Sequence, residues 1–359
     1  MPNVPTLDKN RTIDCDFCKF KVIKLLGQGG FGAVYLVEEI IKKSKYAVKT
    51  ELMPGKKDKF EPRLLWEETI LLEIQALPDD NHKKHFIKVV DRGELPPLRF
   101  MLMTLVGKSL KDLMKESKDQ CFSDNTSWKI AEQTLEALEA FHSAGFVHRD
   151  IKPHNYTIGG PGQEDIIFML DFGLVRCYTG KKFVHAVKDL PNFAGTIKYC
   201  SRSSHHSVFQ YPKDDLESWI ITVMELHDPD AVFWCRETEM DEIKAMKGEL
   251  FTSKEPDYIF DELVPSEYRK IVALIGNLTP VEKLKNPDGD MTQKVDLVPI
   301  AKILAEIGNI YKYSHKKRFE WQKKDSKSIS VERGSSSGTK KKDKKNSKHA
   351  KTQKKSKKA

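Results

Sequence analysis

The chain has 359 residues, of which 39% are hydrophobic and 31% are charged, and its formal net charge at pH 7 is +9. This length suits a two-lobed enzyme with a sizeable core, so we expect one catalytic unit, monomeric and followed by a tail. It contains no apolar run long enough to span a bilayer and no apolar segment behind a basic start. We therefore expect no transmembrane segment and an intracellular protein, in the cytoplasm, the nucleus or both.

The positive charge is concentrated at the C-terminal end. Residues 316–359 contain 18 Lys or Arg and 4 Asp or Glu, a local charge of +14 that leaves −5 on the rest of the chain. Almost no aliphatic residue follows Val331, so this stretch cannot bury enough apolar surface to become ordered. A disordered tail is predicted over residues 314–359. It either solubilises the protein or binds nucleic acid, an acidic polymer or lipid, or the nuclear import machinery.

The N-terminal part reads as strands around a glycine-rich loop. After a flexible polar leader over residues 1–19, the pattern predicts strands over residues 20–26, 33–37 and 45–50. The first two flank Gly-Gln-Gly-Gly-Phe-Gly at positions 27–32, and such glycines let a backbone approach a triphosphate. A dinucleotide-binding turn uses the same string before a helix, whereas β-branched and aromatic residues follow here. The pattern favours a loop that covers a nucleotide.

Lys49 lies inside the third predicted strand. A lysine in an apolar strand must find an anion or lose its charge, and phosphate oxygens together with a carboxylate would supply that anion. A helix predicted over residues 63–77 offers two neighbouring carboxylates for this role, Glu67 and Glu68. The downstream Ile-Gln-Ala-Leu segment favours Glu67.

Two further strands, over residues 86–90 and 100–104, complete a small predicted sheet before the chain enters a mainly helical half. Val106 in the link between the halves is a candidate for backbone hydrogen bonds to adenine. Met103 would line the back of the same pocket, although simple core packing explains it equally well. Asp112, at the start of the next helix, could face a ribose.

The most informative stretch runs from residue 146 to residue 173. It places Asp150, Lys152, Asn155 and Asp171 on two loops, each beside a short apolar run. Such groups suit phosphoryl transfer, in which metal ions and fixed cations meet the charge of the moving group while a carboxylate receives the acceptor's proton. The alternative is a surface turn with unrelated charges. Both motifs in this order argue against that alternative.

His-Arg-Asp ending at Asp150, followed after four residues by Asn155, resembles the catalytic loop of protein kinases. Asp-Phe-Gly starting at Asp171 resembles their metal-binding loop. The resemblance implies that Asp150 is the base that orients the acceptor hydroxyl and that ATP is the phosphoryl donor. Asn155 and Asp171 would hold Mg²⁺, or Mn²⁺. Lys152, two residues after the base and followed by Pro, resembles serine/threonine rather than tyrosine kinases.

Longer matches over residues 145–159, 169–176, 195–201 and 214–218 resemble the casein kinase I group, and within it the tau-tubulin kinase branch. The family tripeptide that replaces Ala-Pro-Glu is itself changed here to Ser-Arg-Ser, ending at Ser203. This resemblance implies an α+β, bilobal protein kinase fold.

The kinase domain would cover residues 20–313. Its small β-sheet N-lobe, with one major helix, would span about residues 20–105. Its larger, mainly helical C-lobe would span about residues 107–313. The nucleotide-facing residues implied by the resemblance are Leu26, Gly27, Gly29, Gly32, Val34, Ala47, Lys49, Glu67, Met103, Val106 and Asp112.

The resemblance also implies how acceptor substrates are held. Thr196 would hydrogen-bond near Asp150 and Lys152 and so shape the acceptor site, and Asp215 would brace the catalytic-loop backbone. Substrates would be proteins, acidic or already phosphorylated, met by cations such as Lys198.

Two hypotheses follow. The chain is either an active ATP-dependent serine/threonine kinase or a catalytically weak, kinase-like scaffold that docks partners through its basic tail. The full set of chemical groups favours the enzyme.

Overall fold

The structure, a computed structural model, describes residues 5–15, 18–29, 32–53, 63–178, 193, 195–278 and 295–322, which belong to one compact unit. Parts of three predicted features lie outside these residues: the start of the leader, two residues of the glycine-rich loop and the tail from residue 323 onward. Among the described residues, no helix combines the length and apolarity needed to cross a bilayer.

The N-terminal half is built on an antiparallel sheet of six strands in the order β1-β2-β3-β4-β6-β5. The strands are β1 Thr12–Asp14, β2 Lys19–Gln28, β3 Gly32–Glu39, β4 Lys45–Leu52, β5 Val89–Leu95 and β6 Leu98–Thr104. Alternate residues of β3 are buried, because side chains in a strand point to opposite faces and one face covers a core. That core contains Tyr35, Val37, Val48 and Phe100. The predicted small β-sheet of the N-lobe is confirmed.

The prediction of a flexible leader over residues 1–19 is wrong for its described part. β1 pairs with β2, with Ile13 opposite Phe20, and Ile13 is fully buried. Leu7 is also buried, and its backbone N–H donates to the Tyr35 hydroxyl at 3.0 Å. Two apolar residues in a polar segment were too weak a pattern to predict a strand, but they suffice once an edge of the sheet is available to pair with.

The strand predicted over residues 86–90 starts later and runs further, as β5. Phe86 instead forms an isolated bridge with Met169, whose N–H donates to the His85 carbonyl at 2.9 Å. Phe86 is apolar because it packs between the two halves of the molecule, not because it belongs to the sheet. Helix α1, Arg63–Gln75, lies where a helix was predicted.

The second half is mainly helical. Its described helices are α2 Leu110–Glu116, α3 Asp124–Ser143, α4 Arg202–His205, α5 Pro212–His227, α6 Met240–Leu250, α7 Tyr268–Gly276 and α8 Val298–Ile310. α5 is buried along its whole length, and α3 and α7 pack against it. Four short strands carry the loops of interest: β7 Phe146–Val147 pairs with β10 Arg176–Cys177, and β8 Tyr156–Ile158 pairs with β9 Ile167–Met169. A helical base therefore supports one short hairpin, β8–β9, and a second two-stranded pairing, β7–β10, as a bilobal α+β fold requires.

The predicted tail begins too early. Phe319 is 2% exposed and stacks on Trp321 with 4.5 Å between ring centroids. The Lys129 ammonium lies 3.6 Å from the centre of the Phe319 ring and donates to the Lys317 carbonyl at 2.7 Å. Trp321 donates to the Glu164 carbonyl at 2.8 Å. Two aromatic residues inside a basic run thus hold residues 314–322 against α3.

We expect two truncations to differ in stability. Removing residues 316–359 should lower the free energy of unfolding by about 3 kcal/mol, because it deletes the buried Phe319 ring and the acceptor of Lys129. Removing only residues 323–359 should change it by less than about 0.5 kcal/mol. Denaturant unfolding measures both.

Point variants in the full chain serve as controls. Phe319→Ala should reproduce most of the loss, whereas Lys316→Ala, at an exposed position, should not. Equal stability of the two truncated proteins would contradict the packing described for residues 314–322.

Candidate active site

The two predicted loops meet because of the β8–β9 hairpin. Tyr156 pairs with Met169 in an antiparallel ladder, so the residue that enters β8 lies beside the residue that leaves β9. The Leu170 N–H donates to the Asn155 carbonyl at 2.8 Å. Asp171 follows directly, in a left-handed backbone conformation with φ of 65°. The hairpin therefore places Asn155 and Asp171 at the same edge.

A buried carboxylate fixes the backbone of the first loop. Asp215, on α5, is 1% exposed and accepts hydrogen bonds from the backbone N–H groups of His148 at 2.7 Å and Arg149 at 2.8 Å. The His142 ring nitrogen Nε2 donates to it at 2.9 Å. Burial acts to raise the pKa of Asp215, but the hydrogen bonds from the His142 ring and the His148 backbone outweigh burial and hold that pKa below its ordinary value. The bracing contact implied by the sequence is present.

Three side chains converge on the Asp150 carboxylate. Thr196 donates from its hydroxyl to Oδ1 at 2.8 Å, and Lys152 donates from Nζ to Oδ2 at 2.6 Å. Lys152 also donates to the Thr196 hydroxyl at 2.8 Å, which closes a triangle of hydrogen bonds. The Asn155 amide donates to Oδ2 at 3.2 Å and to the Asp150 backbone carbonyl at 2.8 Å. Asp150 is thereby held in one orientation beside a fixed cation.

The structure decides between the two carboxylates of α1. The Lys49 ammonium donates to both oxygens of Glu67, at 2.6 and 2.5 Å. Glu68 instead accepts from the Arg92 guanidinium. Burial acts to lower the pKa of Lys49, but the Glu67 carboxylate outweighs it and holds that pKa above its ordinary value. Lys49 therefore presents a positive charge beside Glu67.

This difference gives a matched pair of variants. We expect Glu67→Gln to lower kcat/KM by about 10-fold or more, since it removes a charge-assisted partner worth about 1.5–3 kcal/mol from Lys49. Glu68→Gln makes the same chemical change one residue later, on the pair with Arg92, and should leave kcat/KM within about twofold. Steady-state kinetics with ATP varied measures both. A larger effect from Glu68→Gln would contradict the assignment.

A pocket of about 310 Å³ lies between the glycine loop and α1. It is lined by residues that include Gly27, Gly29, Gly32, Val34, Lys49, Glu67, Asp171 and Gly173. Gly32 admits no side chain, because a Cβ there would stand 1.9 Å from the Thr50 carbonyl oxygen. A Cβ at Gly173 would lie 3.4 Å from an oxygen of Asp171 and 3.4 Å from an oxygen of Glu67. Asp171 therefore faces the same space as the ion pair of Lys49.

The residues predicted to contact adenine and ribose lie elsewhere along the same sheet and link. Ala47 lies on β4, two residues before Lys49, and its register partner on β6 is Met103. Both residues are buried. Among the described residues, no hydrogen bond engages the backbone groups of Val106. Leu26 is nearly half exposed on β2. None of these lines the pocket beside Lys49, and their nucleotide contacts stay predictions.

The same holds for Asp112. Its carboxylate accepts from the Ser109 hydroxyl at 2.7 Å, while the Ser109 oxygen caps α2 by accepting from the Asp112 N–H at 3.1 Å. This exposed carboxylate is therefore part of a helix cap in the structure, and its contact with a ribose stays a prediction.

Two residues that join these parts were not predicted from the sequence to have a role. The His148 ring donates to the Leu170 carbonyl at 3.0 Å and accepts from the Asp150 N–H at 3.3 Å, so it connects the two loops. Trp66, on α1, donates to the Val175 carbonyl at 3.0 Å and connects that helix to the segment after Asp171. His148 belongs to a motif and could have been singled out. Nothing in the pattern around Trp66 indicates its partner.

The donor set suits a divalent metal that arrives with phosphates. Among the described residues, no three His, Cys, Asp or Glu side chains are grouped to hold a metal by themselves. Mg²⁺ is usually held by one or two protein carboxylates together with substrate phosphates, so a full protein cage is not required. Asn155 uses its amide N–H on Asp150, which leaves its side-chain oxygen as a potential ligand beside the exposed carboxylate of Asp171.

Comparison with known proteins agrees with this geometry. Residues 20–284 match the family model described as protein kinase domain. A putative serine/threonine-protein kinase of Caenorhabditis elegans is 36% identical over 239 residues, which cover 65% of this chain and 59% of the relative. A probable serine/threonine-protein kinase of Dictyostelium discoideum is 29% identical over 262 residues, which cover 72% of this chain and 50% of the relative. A putative casein kinase I of C. elegans is 31% identical over 210 residues, covering 58% and 60%.

The chain thus spans 50–60% of the length of these curated relatives. The family match itself covers most of the chain, including the glycine loop, the ion pair of Lys49, both loops and α5. On that match and the arrangement described above, the chain belongs to the protein kinase family.

Proposed function

We propose that the protein is an ATP-dependent serine/threonine kinase of the casein kinase I type, which transfers the γ-phosphoryl group of ATP to hydroxyl groups of protein substrates. The observation that carries this proposal is the hydrogen-bonded triangle of Asp150, Lys152 and Thr196. It lies on the loop that the β8–β9 hairpin joins to Asp171, and Asp171 faces Lys49. Phosphoryl transfer requires a carboxylate and a fixed cation on the acceptor side, which Asp150 and Lys152 supply. It also requires a cation on the donor side, which Lys49 supplies in the glycine-lined pocket.

On the acceptor side, the residues act on the substrate hydroxyl. Asp150 accepts its proton, and the contacts from Thr196 and Lys152 fix the direction in which the carboxylate points. Lys152 also supplies positive charge where charge develops on the transferring group. Because Lys152 and Thr196 crowd the carboxylate, a short Ser or Thr side chain fits this geometry better than a long tyrosine.

On the donor side, Lys49 binds phosphate oxygens while Glu67 keeps it oriented, and the glycine loop lets the backbone approach the phosphates. Mg²⁺, or Mn²⁺, would be held by Asn155 and Asp171 and would neutralise charge on the phosphate oxygens. Nucleotide and acceptor are thus held from opposite sides, which lowers the entropic part of the barrier.

The casein kinase I type is supported by the named relative and by a cluster of cations near the acceptor side. Lys111 and Lys198 donate to the same buried carboxylate, Glu225, at 2.7 and 2.8 Å. Two ammonium groups on one carboxylate leave one net positive charge, partly exposed beside Thr196 in the chain. We infer a preference for acidic or already phosphorylated substrates.

A panel of peptides tests this specificity. Three peptides with the same Ser acceptor should carry a phosphoserine, an aspartate or an alanine at neighbouring positions. The two acidic peptides should react faster by up to about fivefold, the effect of an ion pair worth up to about 1 kcal/mol. Lys198→Met should remove the difference, whereas Lys270→Met, at an exposed position of α7, should not. Equal rates for all three peptides with the unmodified protein would overturn the inference.

A further inference from the structure

Lys247, on α6, is a fully buried lysine with an unusual set of partners. Its ammonium donates to the backbone carbonyls of Ile197 at 2.5 Å and Cys200 at 2.7 Å. The His205 ring nitrogen Nε2 lies 3.1 Å from it. Lysines are rarely buried to this extent unless they are paired, because desolvating an ammonium costs several kcal/mol. The hydrogen bonds to these carbonyls must therefore offset the cost of burying the ammonium.

His205 is suited to accept from this ammonium. Burial, together with the charges of Lys247 and Lys244, lowers the pKa of His205 to about 4. The ring is therefore neutral at pH 7, and its Nε2 offers a lone pair to Lys247. With two carbonyls and this nitrogen, all three N–H bonds of the ammonium have an acceptor.

The carbonyls that Lys247 binds belong to one tight turn. The Thr196 carbonyl accepts from the N–H groups of Tyr199 and Cys200, both at 2.9 Å, so the chain between them forms a helical turn with its remaining carbonyls pointing outward. Trp234 donates from its indole to the next of these, the Lys198 carbonyl, at 2.9 Å. Lys247 and Trp234 thus hold the carbonyls of residues 197, 198 and 200 from the helical base.

The other side of this turn is the acceptor site. Thr196 donates to Asp150, and Gly195, with φ of 106°, lies so close to the catalytic loop that a Cβ would stand 2.7 Å from the Arg149 carbonyl oxygen. The turn is therefore fixed between the catalytic loop on one side and Lys247 on the other. A shift at the buried end would move the Thr196 hydroxyl away from Asp150.

We infer that Lys247 is a positioning residue for phosphoryl transfer, which acts by holding the turn over residues 196–200 so that the Thr196 hydroxyl meets Asp150. The inference rests on the proposed kinase function. It concerns the acceptor side only, because Lys49, Glu67 and Asp171 contact different elements. It predicts that loss of Lys247 lowers kcat and leaves nucleotide binding unchanged.

A double-mutant cycle tests this role. Lys247→Met should lower kcat by about 10- to 100-fold, and by no more than Thr196→Ala does, because a displacement of about 1 Å at a reacting group can cost up to about 100-fold. The Kd for ATP, measured by fluorescence titration, should stay within about twofold. Thr196→Ala should lower kcat by about 10- to 100-fold through loss of hydrogen bonds to charged groups. Adding Lys247→Met to Thr196→Ala should change kcat by less than about twofold more, because both act through one hydroxyl.

Further variants keep the test decisive if Lys247→Met folds poorly. Trp234→Phe keeps an aromatic ring at this buried position but removes the indole N–H that donates to the Lys198 carbonyl, so it should lower kcat by a few-fold and show the same lack of additivity with Thr196→Ala. Lys254→Met, at an exposed position just after α6, is the control and should leave kcat unchanged. Thermal unfolding of each variant reports folding separately.

The outcomes are distinct. Additive losses in the cycle, or kcat unaffected by both Lys247→Met and Trp234→Phe in folded proteins, would overturn the positioning role while the kinase function stands. Absence of phosphoryl transfer by the unmodified chain would overturn the kinase function itself.

Discussion

Replacing Asp150 by Asn should lower kcat for peptide phosphorylation by about 10²- to 10⁴-fold. An amide cannot take up the acceptor proton, and it also deprives Lys152 of the carboxylate that lies 2.6 Å from its ammonium. The backbone contacts of the loop run to Asp215 and do not involve the Asp150 carboxylate. The Kd for ATP should therefore change little, and single-turnover kinetics should show the loss in the chemical step.

A matched control is available on the neighbouring hairpin. Asp165→Asn makes the same substitution at an exposed position between β8 and β9. It should leave kcat at the value of the unmodified protein. Wild-type activity in Asp150→Asn would mean that Asp150 is not the base. A Lys49→Met preparation made in parallel controls for a contaminating kinase, because a contaminant would make that preparation active too.

Replacing Lys49 by Met should lower kcat/KM by about 10²- to 10³-fold, because one preorganised cation is removed from the developing charge. It also leaves Glu67, a buried carboxylate, without its partner. Breaking such a pair from one side costs about 3–5 kcal/mol, so the variant should also be less stable. Two measurements, kinetics and denaturant unfolding, follow these two effects.

A double variant separates the two effects. Lys49→Met with Glu67→Gln leaves no unpaired charge, so it should regain most of the lost stability and remain inactive. Lys45→Met, four residues earlier on β4 and exposed, should change neither property. Recovery of activity together with stability would mean that Lys49 acts only through folding, which would contradict its role at the phosphates.

The residues of the site could be predicted from the sequence more accurately than the boundaries of the folded elements. Asp150, Asn155 and Asp171 lie within 22 residues of one another on two loops joined by one short hairpin, so their spacing alone indicates that they meet. Lys49 could be recognised because a lysine in an apolar strand needs an anion. The choice between Glu67 and Glu68 rests instead on which side of α1 faces β4. Neighbouring helix positions differ by about 100°, and only the contacts with Lys49 and Arg92 decide it.

Features that depend on a partner far away along the chain could not be predicted from the sequence. β1 forms because Ile13 finds the edge of β2, and residues 314–322 are held because Phe319 finds Lys129 on α3. The sequence around Lys247 does not distinguish it from other lysines in helices. Its role depends on the packing of α6 against the turn that follows Gly195. In each case the local pattern is weak, and the energy comes from a surface built by residues far away along the chain.

The most direct test of the kinase function is transfer of labelled phosphate. The purified full chain should be incubated with γ-labelled ATP, Mg²⁺ and peptides that differ only in carrying Ser, Thr, Tyr or Ala at the acceptor position. We predict label on the Ser and Thr peptides, none on the Tyr and Ala peptides, and none with Asp171→Asn. A chain that binds ATP but transfers no label, or an Asp171→Asn variant that transfers it equally well, would contradict the function proposed for this site.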